Sequence, residues 1–193
     1  MELKYKPDFE QAKEYWRAFW AKEVIDRPLV AVTAPKTPSR PDGPRYMAGA
    51  DGKFQQALEM FDAHAAATYY GAEAIPSFNI SLGPDQFSAF VGAELEFRHE
   101  VGTSWVKPYV NNWNDVDFTL AATHPAWVLV LDFFKQAADF SEGKFLLNML
   151  NLHSHMDCLS AIRDPQKLCL DLIDCPEDVA GAMHRVRKIY PEM

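Results

Sequence analysis

The segment Lys144–Asp157, KFLLNMLNLHSHMD, ends an apolar run in four polar side chains able to ligate a metal or move a proton: Asn151, His153, His155 and Asp157. The H-x-H spacing puts both imidazoles on one side of the chain if the backbone stays extended. With Asp157 they could hold a divalent ion, line a substrate pocket, or supply an acid and a base. The blander reading is that Asn151 and Asp157 cap the next helix while the histidines hydrogen-bond locally.

These residues need a rigid support, and the apolar run supplies one. Phe145, Leu146, Leu147, Met149 and Leu150 are too uniformly apolar for a strand with one wet face, so Phe145–Leu150 reads as a buried parallel strand. The polar cluster then follows a carboxyl end, the edge at which α/β folds carry their chemistry. Pro28–Val32 and Ala74–Ile80 read as two further buried strands, neighbouring and parallel to it, the latter weakened by Pro76.

Helices fill the intervals. Asp8 with Gln11 resembles a capping box opening an amphipathic helix to about Lys22, with Phe9, Ala12, Trp16, Phe19 and Trp20 on its inner face. Asp51-Gly52 opens a second, carrying Phe54, Ala57, Leu58, Phe61 and Ala65 and closed by Gly71. Pro125 starts a third, and Asp164-Pro165 and Cys175-Pro176 start two more, with proline at the first helical position. In the last, Val179, Met183, Val186 and Ile189 form the core stripe. From Glu94 the period changes to two, and Gly102-Thr103 predicts a hairpin inserted in the strand-helix series.

Composition excludes several classes. With 193 residues, 48% hydrophobic and 24% charged, the chain has the statistics of one globular domain spanning 1–193. A net charge of -8 disfavours nucleic acid, since the basic run His184–Lys188 fits the outer face of a helix end. No apolar run approaches the roughly 20 residues of a membrane span, and MELKYKPDFE lacks the apolar core of a signal peptide. Cys158, Cys169 and Cys175 lack C-x-x-C spacing, so reduced thiols in a cytoplasm are expected. His64 and His184 read as surface or interface residues, His99 as a hairpin residue, and Trp105 and Trp113 as packing on the hairpin return.

The succession DRPLVAVTAP, YYGAEAIPSFNISLGPDQFSAFVGAELEF, TSWVKPYVNNW and FLLNMLNLHSHMDCLSAIRDPQKLCLDLIDCPEDV resembles the amino-terminal half of the uroporphyrinogen decarboxylase and cobalamin-dependent methyltransferase superfamily, on its decarboxylase-like branch. The resemblance spans about Trp16 to Val186, and its strongest pieces are framework segments. It implies an α/β fold, a partial (β/α)8 barrel with an inserted hairpin. Such a barrel needs ~250 residues, so the chain is expected to be a truncated or partial form that self-associates or pairs with a missing carboxy-terminal half.

The resemblance also implies roles. The family holds substrate carboxylates with two arginines in an Arg-x-x-x-Arg-Tyr segment, for which guanidinium is suited by its paired donors. Here Arg40 to Arg45 and Tyr46 occupy the corresponding loop, at a spacing one residue longer. The position of the family's catalytic aspartate carries Asn79, which cannot stabilise a protonated pyrrole by charge. His153 and Asp157, from their place after the strand, and Asn79, from the resemblance, are the catalytic candidates; Arg40, Arg45 and Tyr46, from the resemblance, and His155, from its place after the strand, are the candidate binders of a small-molecule substrate. Decarboxylation in this family requires no cofactor. Methyl transfer would require zinc, which activates a thiol, and a corrinoid protein. An inactive half-barrel that only associates is the alternative.

Overall fold

The computed structural model describes residues 2–98 and 100–193; His99 lies outside the described residues. Its helices are α1 (Phe9–Trp20), α2 (Phe54–Ala66), α3 (Gln86–Phe90), α4 (Pro125–Ser141), α5 (Met156–Arg163), α6 (Pro165–Asp174) and α7 (Pro176–Ile189). The strands are β1 (Ala31–Pro35), β2 (Thr68–Ala72), β3 (Ser77–Phe78), β4 (Leu95–Arg98), β5 (Thr103–Val106) and β6 (Leu146–Leu147). They pair as β1-β2, β3-β6 and β4-β5, so the protein is mixed α/β with small sheets, and no closed barrel forms among the described residues. No described helix is long and apolar enough to cross a membrane.

The chain divides into two compact units, one comprising the residues through Ile80 with Phe133–Met149, the other Ser81–Asp132 with Leu150–Met193. In the first unit, aromatic rings from separate segments make the core. Phe54 stacks on Phe133 at 4.4 Å, while Phe61 meets Phe145 at 4.7 Å and Phe78 at 5.4 Å. Face-to-edge and stacked rings of this kind add to the burial of large apolar area. Strands β3 and β6 are parallel, with Ser77 opposite Leu146 and Phe78 opposite Leu147, so their carboxyl ends share an edge.

The first predicted strand departs from expectation. β1 starts at Ala31, is mostly exposed, and pairs antiparallel with β2, Val32 opposite Gly71 and Thr33 opposite Tyr70. The reason lies in residues read from sequence as the end of α2. That helix stops at Ala66, and Thr68-Tyr69-Tyr70, β-branched and aromatic, continues as a strand. The expected series of three adjacent parallel strands therefore holds for its last two members, shortened to two residues each, and not for the first.

Helix α1 differs in detail too. Asp8 precedes it without a side-chain cap; its carboxylate instead takes the Nζ of buried Lys6 at 2.9 Å. Phe9 and Ala12 are buried as expected, but Trp20 is 76% exposed. A buried carboxylate closes this unit: Glu73 receives both Nη atoms of Arg27 at 2.8 and 2.7 Å and the Val30 N–H at 2.9 Å.

In the second unit the hairpin forms where predicted, β4 antiparallel to β5 with Phe97 opposite Ser104. Helices α6 and α7 begin at their prolines, and Asp164 caps α6 by accepting from the backbone N–H of Gln166 and Lys167. The buried stripe of α7 is Val179, Ala182, Val186 and Ile189, with Ala182 in the place expected for Met183.

Candidate functional site

Among the titratable side chains of the second unit, Asp85 stands apart. It sits in the turn Ser81-Leu82-Gly83-Pro84-Asp85 ahead of α3, part of the GPDQFSAF segment read from sequence as framework. Buried side chains tie that turn down. Gly83 donates its N–H to Ser81 Oγ at 3.1 Å, the Ser104 hydroxyl donates to the Leu82 carbonyl, and Leu82 donates its N–H to Gln86 Oε1 at 2.9 Å. The rigid turn presents the carboxyl of Asp85 toward β5, where Oδ2 accepts the Val106 N–H at 3.2 Å.

Burial holds the Asp85 carboxyl above the ordinary carboxylate range. The Val106 N–H and nearby His153 pull it down, and nearby Asp157 pushes it up. Asp85, His153 and Asp157 are thus within electrostatic reach of one another. A carboxyl raised by burial, an imidazole and a second, exposed carboxyl are side-chain types that proton transfer uses. The sequence reading named His153 and Asp157 and missed Asp85. The clue available was a polar residue following proline inside an otherwise apolar segment.

The loop that carries His153 is anchored at both ends. The Asn151 carbonyl accepts from Gln86 Nε2 at 2.9 Å. At the other end the His155 ring lies 6.3 Å from Tyr190, with its Nδ1 hydrogen-bonded to the Ser154 hydroxyl. His155 has φ 60° and ψ -126°, a conformation costly for a residue with a Cβ, and Ser154 N–H turns back to the Leu152 carbonyl at 2.9 Å. The extended backbone that would set His153 and His155 on one side is therefore interrupted. Among the described residues no three His, Cys, Asp or Glu side chains are placed to hold a metal ion.

Cys158 lies next to this group but is no nucleophile. It is fully buried, and burial pushes its thiol up to about 12, with the Ser88 hydroxyl beside it lowering it only in part. The thiolate that reacts is absent at neutral pH.

The remaining predicted residues belong to the first unit. Arg40 is half-buried and reaches Thr68 Oγ1 at 3.5 Å, close enough to Tyr70 to oppose the upward push that burial gives its phenol. Arg45 and Tyr46 are exposed, and the turn they occupy is closed by the Ala48 N–H on the Arg45 carbonyl at 2.9 Å. Asn79 is exposed directly after β3. His64, read as a surface residue, also holds structure together, because its Nδ1 is 2.9 Å from the Pro41 carbonyl and so fixes the arginine-bearing loop to α2. No protein-family model, curated protein or solved structure matches this chain.

Proposed function

We propose that this chain carries the proton-transfer centre of a decarboxylase-like lyase, on the branch that its sequence resembles. The observation that supports the reading is the raised carboxyl of Asp85 beside His153. When a carbon–carboxylate bond breaks, CO2 leaves and the electron pair stays on carbon. Asp85 then donates its proton to that carbon and recovers one from solvent, while His153 hydrogen-bonds the substrate group that accommodates the charge. Asp157 keeps the local potential negative, which favours the protonated form of Asp85. The substrate class is a small carboxylic acid whose carbanion is delocalised. A porphyrinogen fits poorly, because Asn79 stands where the family has its aspartate.

The test is CO2 release by the purified protein from a panel of pyrrole and aryl carboxylic acids. Asp85→Asn is expected to lower kcat by about 10²-fold or more, the usual scale for a general acid. Methyl transfer from a methyl-corrinoid to a thiol, with no CO2 released, would overturn the reading.

A specific observation favours association as a second property. In the first unit Phe19, Trp20, Val24 and Ile25 are 49%, 76%, 68% and 54% exposed, in consecutive turns of α1 and the loop after it. Burying such surface is favourable at roughly 25 cal/mol per Å² before association costs. Light scattering over a concentration series tests it, and a monodisperse monomer refutes it.

A further inference from the structure

Gln86 is fully buried in α3, and every residue of that helix is buried with it. A leucine or methionine would fill the same space without a polar group to satisfy. An amide is tolerated there because both its ends are paired: Oε1 accepts the Leu82 N–H at 2.9 Å, and Nε2 donates to the Asn151 carbonyl at 2.9 Å across 65 residues of chain. The two ends do unequal work. The turn at Leu82 is also held by Ser104 on the Leu82 carbonyl, by Ser81 on the Gly83 N–H and by the Gln86 N–H on the Gly83 carbonyl. The Asn151–His155 loop has lighter support. It has one internal turn at Ser154 and the packing of His155 against Tyr190, which in turn stacks on Phe87 at 6.3 Å. Its entry point is the carbonyl that Gln86 grips.

We infer that Gln86 is a positioning residue, a latch that sets the His153-bearing loop against the turn carrying Asp85. Its catalytic meaning rests on the proposed function, while the latch is a property of the fold. The groups facing Asp85 are the Val106 N–H on β5, His153 on the latched loop, and Asp157 and Cys158 on α5. Freeing the loop withdraws His153, which with the Val106 N–H lowers Asp85, and leaves Asp157 and the Val106 N–H in place. Asp85 then titrates higher still.

NMR on the full chain tests this. In the wild type the Gln86 side-chain NH2 should exchange slowly and show a scalar coupling across the hydrogen bond to the Asn151 carbonyl carbon. In Gln86→Met, amide exchange at Leu152, His153, Ser154 and His155 should quicken about tenfold, the scale of one lost hydrogen bond, with Asp85 titrating higher. Gln86→Glu provides an internal control. Its protonated form can donate an O–H to the Asn151 carbonyl and restore slow exchange at low pH, whereas its ionised form releases the loop. A fast-exchanging Gln86 amide in the wild type overturns the latch, as does a folded Gln86→Met with wild-type exchange and Asp85 titration. Should Gln86→Met fail to fold, the wild-type coupling and the pH dependence of Gln86→Glu decide. In the assay, Gln86→Met is expected to lose kcat with little change in KM, and full kcat in a variant with a loosened loop overturns the positioning role. The NMR signature of the latch in a wild type that releases no CO2 refutes the proposed function alone.

Discussion

Arg163 and Asp171, eight residues apart on α5 and α6, meet in a bidentate ion pair, Nε to Oδ2 at 2.7 Å and Nη2 to Oδ1 at 2.9 Å. Asp171 Oδ2 also accepts the buried indole N–H of Trp113 at 2.8 Å, and Arg163 Nη1 donates to the carbonyls of Val110 and Asn111 at 3.1 and 2.9 Å. One carboxylate thus ties the segment after the hairpin to two helices. Asp171→Ala leaves an indole N–H and a guanidinium without their acceptor, and is expected to destabilise the protein by about 3 kcal/mol. Urea unfolding with an unchanged m value checks it, and a loss below about 0.5 kcal/mol would show the network to be incidental.

Acid should weaken the fold through two carboxylates and not through a third. Arg27 holds Glu73, and Arg163 holds Asp171, below the ordinary carboxylate range. Their contribution is present above about pH 4 and is lost as pH falls through their folded values. Asp85 has the opposite sign. Burial raises it, so its contribution is full at low pH and is lost as pH rises through its folded value. Asp85→Asn cannot ionise and should raise Tm at pH 7. The gain should shrink toward pH 4. A lower Tm at pH 7 would contradict the assignment.

The three thiols should separate by reactivity. Cys169 is exposed, while Cys158 is buried with its thiol pushed up to about 12. A disulfide reagent at pH 8 is expected to modify Cys169 at once and Cys158 only as the protein unfolds, with Cys175, half-exposed and raised by desolvation, between them. Peptide mapping by mass spectrometry reads the order directly.

Gly49 and Phe133 should be coupled. Gly49 has φ +91°, and a Cβ there would lie 2.5 Å from Phe133 Cε1. Gly49→Ala is therefore expected to cost more than about 1 kcal/mol, and Phe133→Ala, which empties a fully buried site stacked on Phe54, about 3–5 kcal/mol. The double variant should cost less than the sum, because the deleted ring makes room for the methyl. Strict additivity would argue that the left-handed backbone alone sets the cost at Gly49.

Local chemistry was legible in the sequence wherever one residue type dictates one conformation. Pro165 and Pro176 open α6 and α7 because proline supplies the helical φ and lacks an N–H that would be unpaired there anyway. Alternation from Leu95 and the Gly102 turn place the β4-β5 hairpin, since period two leaves one face for each kind of side chain. The polar cluster after β6 was legible as a cluster, because an apolar run ending in Asn, His and Asp is visible without knowing its neighbours.

Pairing partners were not legible, because they depend on contacts across long stretches of chain. Pro28–Val32 and Phe145–Leu150 have similar compositions, yet β1 takes β2 as an antiparallel neighbour while β6 takes β3 in parallel. Nothing local to either run encodes that choice. The same holds for the site. Asp85 acquires its raised carboxyl from burial first and from Asp157 in smaller part, and Gln86 acquires its role from a carbonyl 65 residues away. A sequence shows that Asp85 can hold a proton; the tertiary structure decides whether water, charge and hydrogen bonds around it make it keep one.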